Sequence, residues 1–148
     1  WDARPNLEFG TLEIRVCDLP IRFKDILGIT AVIQALVGFL AEDTEPCPVL
    51  NHYMIQSNKW QAARHGLQGT YVDPIGLLSL EMITYHEAVA MLMEKIMPMS
   101  IRLGSEKYME LVPRILEEET GAEFLRKRFK KSGSLQDVVQ SLQGEFWL

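Results

Sequence analysis

Apolar and polar positions alternate only near the start of the chain. Leu12, Ile14 and Val16 alternate with Thr11, Glu13, Arg15 and Cys17, which predicts a strand over Thr11–Asp18. The apolar set is expected to pack on helices. The polar set holds Glu13 and Arg15 on one face, about 6–7 Å apart along the strand. A short extended piece, Trp1–Arg4, comes first, ended by Pro5-Asn6; Leu7–Phe9 and Gly10 then lead into the strand.

After Pro20 the spacing becomes helical. Ile21–Ala41 reads as a long helix, nearly hydrophobic all round, and is expected inside a bundle. Glu42–Pro48 reads as a loop, punctuated by Pro46 and Pro48. Asn51–His65 predicts a second helix with Gly66 just past its end. Thr70–Val72 is a candidate short strand in the connection Leu67–Pro74. Leu77–Met97 contains a third helix, which Pro98 is expected to end. Ser105 is placed as N-cap of a helix to about Thr120, and Pro113 is expected to kink or split it. Ala122–Lys131 predicts another helix, closed by Gly133. Ser134 and Asp137 are spaced as a capping box opening the last helix, to about Leu142. Met82, Met91, Met93, Met97 and Met99 read as core filler.

This pattern is α+β: one or two antiparallel strands followed by a mostly helical bundle. Residues 1–20 form the strand segment and 21–148 the helical part of the same domain. At 148 residues, 47% hydrophobic and 24% charged, the chain suits one globular domain. The apolar stretch Ile26–Ala41 is short for a membrane span and is expected to be a core helix, so no membrane partner is expected.

Charge narrows the function classes. Fifteen basic against twenty acidic residues give a net −5, which argues against nucleic acid as partner. The basic run Arg126–Lys131 then reads as a solvated helix face near a C-terminus, where cations are favoured. Cys17 and Cys47 are too few for a disulfide framework, and a reduced, cytoplasmic setting is expected. No P-loop, G-x-G-x-x-G, zincin or G-x-S-x-G pattern occurs.

Two clusters can carry chemistry. The first is Trp1-Asp2-x-Arg4-Pro5 with Gly10-Thr11-Leu12-Glu13-Ile14-Arg15-Val16-x-Asp18. A carboxylate ligates a hard cation, and an arginine on the same face clamps phosphate or carboxylate with its planar fork. An ordinary exposed ion pair uses the same residues, and the pattern alone leaves both readings open. The second cluster is Asn58-Lys59-Trp60-Gln61-Ala62-Ala63-Arg64-His65-Gly66, in which Trp60 and Arg64 are i,i+4 neighbours. A core Trp with a solvated or stacked Arg is the alternative there.

Together, WDARP…FGTLEIRVCD and NKWQAARHGL resemble the bacterial glutamate–cysteine ligase type 2 family, the YbdK-type carboxylate–amine ligases. The tail LGSEKY…ILEEETGAEFLRKRF…SGSLQDVVQSL is similar too. The resemblance implies a glutamine-synthetase-like fold, of which this chain is the C-terminal part, inactive alone. Further glutamates in a Glu-x-Glu-like pattern would lie upstream. It implies ATP- and Mg²⁺-dependent formation of a γ-glutamyl amide through an acyl phosphate, in glutathione biosynthesis. The substrates would be glutamate or another carboxylate, and an amine such as cysteine.

Carried over, the resemblance makes Glu13 the metal ligand and Arg15 the catalytic arginine at phosphate or substrate. Arg4 and Arg64 are assigned to substrate or nucleotide. Asn58 is assigned to the cofactor or to orienting its helix. Lys59 stands where arginine is common in the family. The rival reading is a non-catalytic helical module that binds a partner through an open strand edge. Self-association through Ile21–Ala41 stays open.

Overall fold

The computed structural model describes residues 2–43 and 50–147. Trp1, Cys47 and the expected prolines at the loop, Pro46 and Pro48, lie outside the described residues. The architecture is α+β: short antiparallel strands followed by a helical bundle. Two compact units are present, one of residues 1–26 with 121–148 and one of residues 27–120.

In the first unit, β1 (Ala3–Asn6) and β2 (Thr11–Ile14) form an antiparallel hairpin. Asn6 shapes the turn, its side-chain oxygen accepting from the N–H groups of Glu8 at 3.1 Å and Phe9 at 3.2 Å. Gly10 completes the turn at φ 59°, a conformation that costs glycine nothing. The strand is shorter than Thr11–Asp18, although the Arg15 N–H still donates to the Asp2 carbonyl at 2.8 Å. Among the described residues the apolar face is largely uncovered: Leu12 and Val16 are exposed and Ile14 is half-buried. Alternation says which side chains share a face; it does not say what covers that face.

Helices α6 (Gly121–Ser132) and α7 (Leu135–Glu145) belong to the same unit. Ser134 caps α7 by accepting from the Asp137 N–H at 3.3 Å. Glu145 lies between two arginines, Arg22 at 3.6 Å and Arg128 at 3.4 Å. Arg128, part of the basic run, is therefore half-buried by this pairing and also covers the Phe124 ring, 4.9 Å from its centroid. Arg126, Lys127, Lys130 and Lys131 are exposed.

The core of the second unit joins α1 (Phe23–Ala41) to α3 (Tyr85–Arg102) and the short helices α4 (Glu106–Met109) and α5 (Val112–Glu117). Its buried side chains are Ala31, Ala35, Met93, Ile96, Met99, Met109 and Val112. α1 is not inside all round. Its inner stripe is made of small residues, Gly28, Ala31, Ala35 and Gly38. A Cβ at Gly38 would stand 3.1 Å from Met99, and one at Gly28 would stand 3.4 Å from Leu111. Close helix approach requires the small residues inward, so the larger Val37 and Leu40 remain exposed. By length and composition α1 is long and apolar enough to cross a membrane.

Pro98 does not end the third helix. It sits inside α3, which continues to Arg102. A proline removes one N–H and crowds one carbonyl, and packing of Ile96, Met99 and Ser100 against the core outweighs that loss. The helix starts at Tyr85, inside the expected stretch Leu77–Met97, because Thr84 and Glu87 form a complete capping box. Pro113 does split the next segment, standing in the first turn of α5 after the break at 110–111. Ser105 makes no side-chain cap bond; its hydroxyl meets that of Ser100 at 3.1 Å. Of the expected core methionines, Met93 and Met99 are buried, whereas Met82 and Met91 are exposed.

Candidate functional site

The hairpin register makes the first cluster. Ladder pairing sets Arg4 opposite Glu13, and antiparallel partners present their side chains on the same face. The Arg4 guanidinium reaches one Glu13 carboxylate oxygen at 2.6 Å. Arg15, two residues along, reaches the other at 3.5 Å. One carboxylate is thus held between two guanidinium groups, and all three side chains stay roughly half exposed. The residues that the sequence set on one strand face meet, and Arg4 joins them from the neighbouring strand.

This cluster suits an anion better than a bare cation. Two planar forks converge on one place and supply N–H donors for phosphate or carboxylate oxygens. Among the described residues no group of three or more His, Cys, Asp or Glu stands together. Glu13 is the cluster's single hard-cation donor, and both its oxygens already face guanidinium nitrogens, so a magnesium there would need its remaining oxygens from phosphate and water. The donor set does not fit a cage made of this chain alone.

Asn58 and Arg64 belong to the second unit, on α2 (His52–His65). Asn51 caps this helix, accepting from the N–H groups of Tyr53 at 3.0 Å and Met54 at 3.3 Å. Gly66 ends it at φ 58°. The Asn58 amide is used in both directions: Nδ2 donates to the Val72 carbonyl at 2.7 Å, and Oδ1 accepts from the Val72 N–H at 3.1 Å. The Tyr85 hydroxyl donates to the Asn58 carbonyl at 2.7 Å. Asn58 therefore ties α2 to the chain just after β3 (Thr70–Tyr71), which pairs with β4 (Ile83–Thr84). β4 is absent from the periodicity because two residues are too few to show alternation. Gly69 permits this approach, since a Cβ there would lie 2.6 Å from the Gln61 carbonyl oxygen.

Two titrating groups flank this junction. Burial, then the charge of Asp73, pushes the Tyr71 hydroxyl up to about 12. Burial also acts to raise Asp73, but the N–H groups of Leu78, Ile75, Ser79 and Gly76 outweigh it and hold the carboxyl below its usual range. Trp60 is not a core residue: it is 59% exposed, and Arg64 is exposed beside it on the helix.

Residues 1–141 match glutamate–cysteine ligase family 2. The chain belongs to that family. A protein of Gloeobacter violaceus, provisionally named glutamate–cysteine ligase 2, is 33% identical over 146 residues, 97% of this chain and 38% of its own length. One of Legionella pneumophila strain Corby, provisionally named glutamate–cysteine ligase 2-2, is 33% identical over 147 residues, or 99% and 39%. One of Herminiimonas arsenicoxydans, with the same provisional name as the first, is 34% identical over 151 residues, or 100% and 40%. The chain spans about two fifths of the length of these relatives, between 38% and 40%.

Proposed function

We propose that this chain supplies part of an ATP-dependent carboxylate–amine ligase of the glutamate–cysteine type. The observation that carries the reading is Glu13 held between Arg4 and Arg15, in a chain of this family. A carboxylate is a poor electrophile. In the proposed reaction a glutamate γ-carboxylate oxygen attacks the terminal phosphorus of ATP, and ADP leaves. The amine nitrogen of cysteine then attacks the acyl carbon, inorganic phosphate leaves, and the nitrogen loses a proton. Negative charge crosses the site in both steps, and preorganised guanidinium groups lower its cost.

Each residue has a proposed part. Arg15 binds the transferring phosphoryl group through its fork. Glu13 holds Arg15 and Arg4 in place and offers an oxygen to magnesium, which when bound would neutralise phosphate charge. Arg4 orients Glu13. Asn58 positions α2, and Arg64 contacts the nucleotide. The proposed setting is cytoplasmic, with small-molecule substrates and a place in glutathione biosynthesis.

The test is ADP release by the full-length gene product with ATP, Mg²⁺, glutamate and cysteine, with γ-glutamylcysteine identified as product. ADP release that requires both amino acids supports the reading. Absence of turnover with these and with other carboxylate–amine pairs refutes it. The binding-module reading then takes its place, on the exposed Leu7, Phe9 and Leu12 of the hairpin.

A further inference from the structure

Helices α6 and α7, joined through Gly133, flank an open cavity of about 250 Å³ lined by Arg128, Lys131, Ser132, Asp137 and Ser141. Cavities for drug-sized ligands run to about 300–1,000 Å³, so this one suits a smaller metabolite. Its two walls differ in sign. Arg128 and Lys131 are i,i+3 neighbours on α6 and supply cations. Asp137 and Ser141 are i,i+4 neighbours on α7 and supply a carboxylate and a hydroxyl.

The hydrogen bonds already made leave particular groups over. Arg128 is braced by Glu145 at 3.4 Å and by the Phe124 ring, and a guanidinium has five N–H donors, so several stay open. The Ser141 hydroxyl donates to the Val138 carbonyl at 2.7 Å, and that of Ser132 to the Ser134 carbonyl at 3.2 Å. With their hydrogens committed, both oxygens can meet a ligand only as acceptors. Among the described residues neither Lys131 nor Asp137 has an ion-pair partner, so no salt link of their own bridges the two walls.

We infer that this cavity binds a small zwitterion, a free α-amino acid, with its carboxylate on Arg128 and Lys131 and its ammonium on Asp137 and the two serine oxygens. A simple anion such as phosphate would set its charge against Asp137, and a simple cation would set its own against Arg128 and Lys131. An amino acid carries both signs on one carbon and satisfies both walls. The binding is independent of the ligase reading, because none of these residues belongs to the hairpin cluster or to α2.

The test is calorimetric titration of the full-length gene product with each standard L-amino acid, without ATP. At least one is expected to bind, and its N-acetyl and carboxamide derivatives, each lacking one charge, to bind about tenfold weaker. Lys131→Gln and Asp137→Asn, both at exposed positions, should each weaken the amino acid about tenfold with circular dichroism unchanged. Acetylating the nitrogen should then cost little in Asp137→Asn, where the partner of the ammonium is already gone. Binding of no amino acid, or equal affinities in the parent and both variants, overturns the site; an amino acid held only at a substrate site gives the second result. None of these readouts uses γ-glutamylcysteine synthesis, so failure here leaves the ligase reading standing, and failure of that reading leaves the cavity.

Discussion

Arg4 and Glu13 face each other across the β1–β2 ladder, and their charged groups meet at 2.6 Å. Both side chains are about half exposed, so water screens the pair. Its contribution to stability is expected to be under about 1 kcal/mol. Arg4→Gln should therefore leave the urea midpoint of the chain nearly unchanged. In the full-length gene product the same change should lower turnover, because Glu13 loses its orienting partner. A large loss of stability would make the pair structural and remove it from the proposed chemistry.

Arg15→Lys keeps the charge and removes the fork. A point charge cannot hold two phosphate oxygens in one plane, so kcat should fall about tenfold with folding unaffected. Steady-state ADP release checks this. Wild-type kinetics would exclude Arg15 from phosphoryl transfer.

Asn58→Ala removes both bonds to the Val72 backbone and leaves a half-buried N–H and carbonyl to find water. The expected cost is about 1–3 kcal/mol, read as a lower urea midpoint. Asn58→Asp keeps the acceptor but sets a carboxylate oxygen against the Val72 carbonyl oxygen, so its midpoint should fall at least as far as that of Asn58→Ala. A neutral Asn58→Ala would show that the α2–β3 junction is held by other contacts.

Asp73 makes the stability of its loop depend on acid. Its folded pKa is depressed, so its contribution is present above the unfolded value, about 3.9, and is lost as pH falls through the folded one. Urea midpoints should thus decline below about pH 4 more steeply in the parent chain than in Asp73→Asn. At pH 7 the variant should be the less stable, having lost an acceptor for several backbone N–H groups. Equal pH slopes would contradict this account.

The local signals in the sequence that survive are those with a covalent or hydrogen-bonding cause. Asn51 and Gly66 bound α2, Pro113 breaks the helix after Ser105, and Ser134 opens α7. What the sequence conceals depends on packing partners. Gly28, Ala31, Ala35 and Gly38 look like weak positions in an apolar helix, yet their small size makes them the stripe of closest approach. Their helical spacing is legible once side-chain size is read along with polarity. Pro98 stays helical because its neighbours are buried, which no local rule foresees. At the site, alternation was enough to place Glu13 beside Arg15. Pairing with Arg4 needed the register, and the turn at Asn6–Gly10 sets that register.

The most direct test of the central claim is the magnesium dependence of ADP release by the full-length gene product, wild type against Glu13→Gln. Glutamine keeps the shape of the side chain and loses the negative charge that would hold the ion. The account predicts that Glu13→Gln needs a higher magnesium concentration for half-maximal turnover and has a lower maximum. Identical magnesium curves for the two proteins would contradict it and return Glu13 to an exposed ion pair.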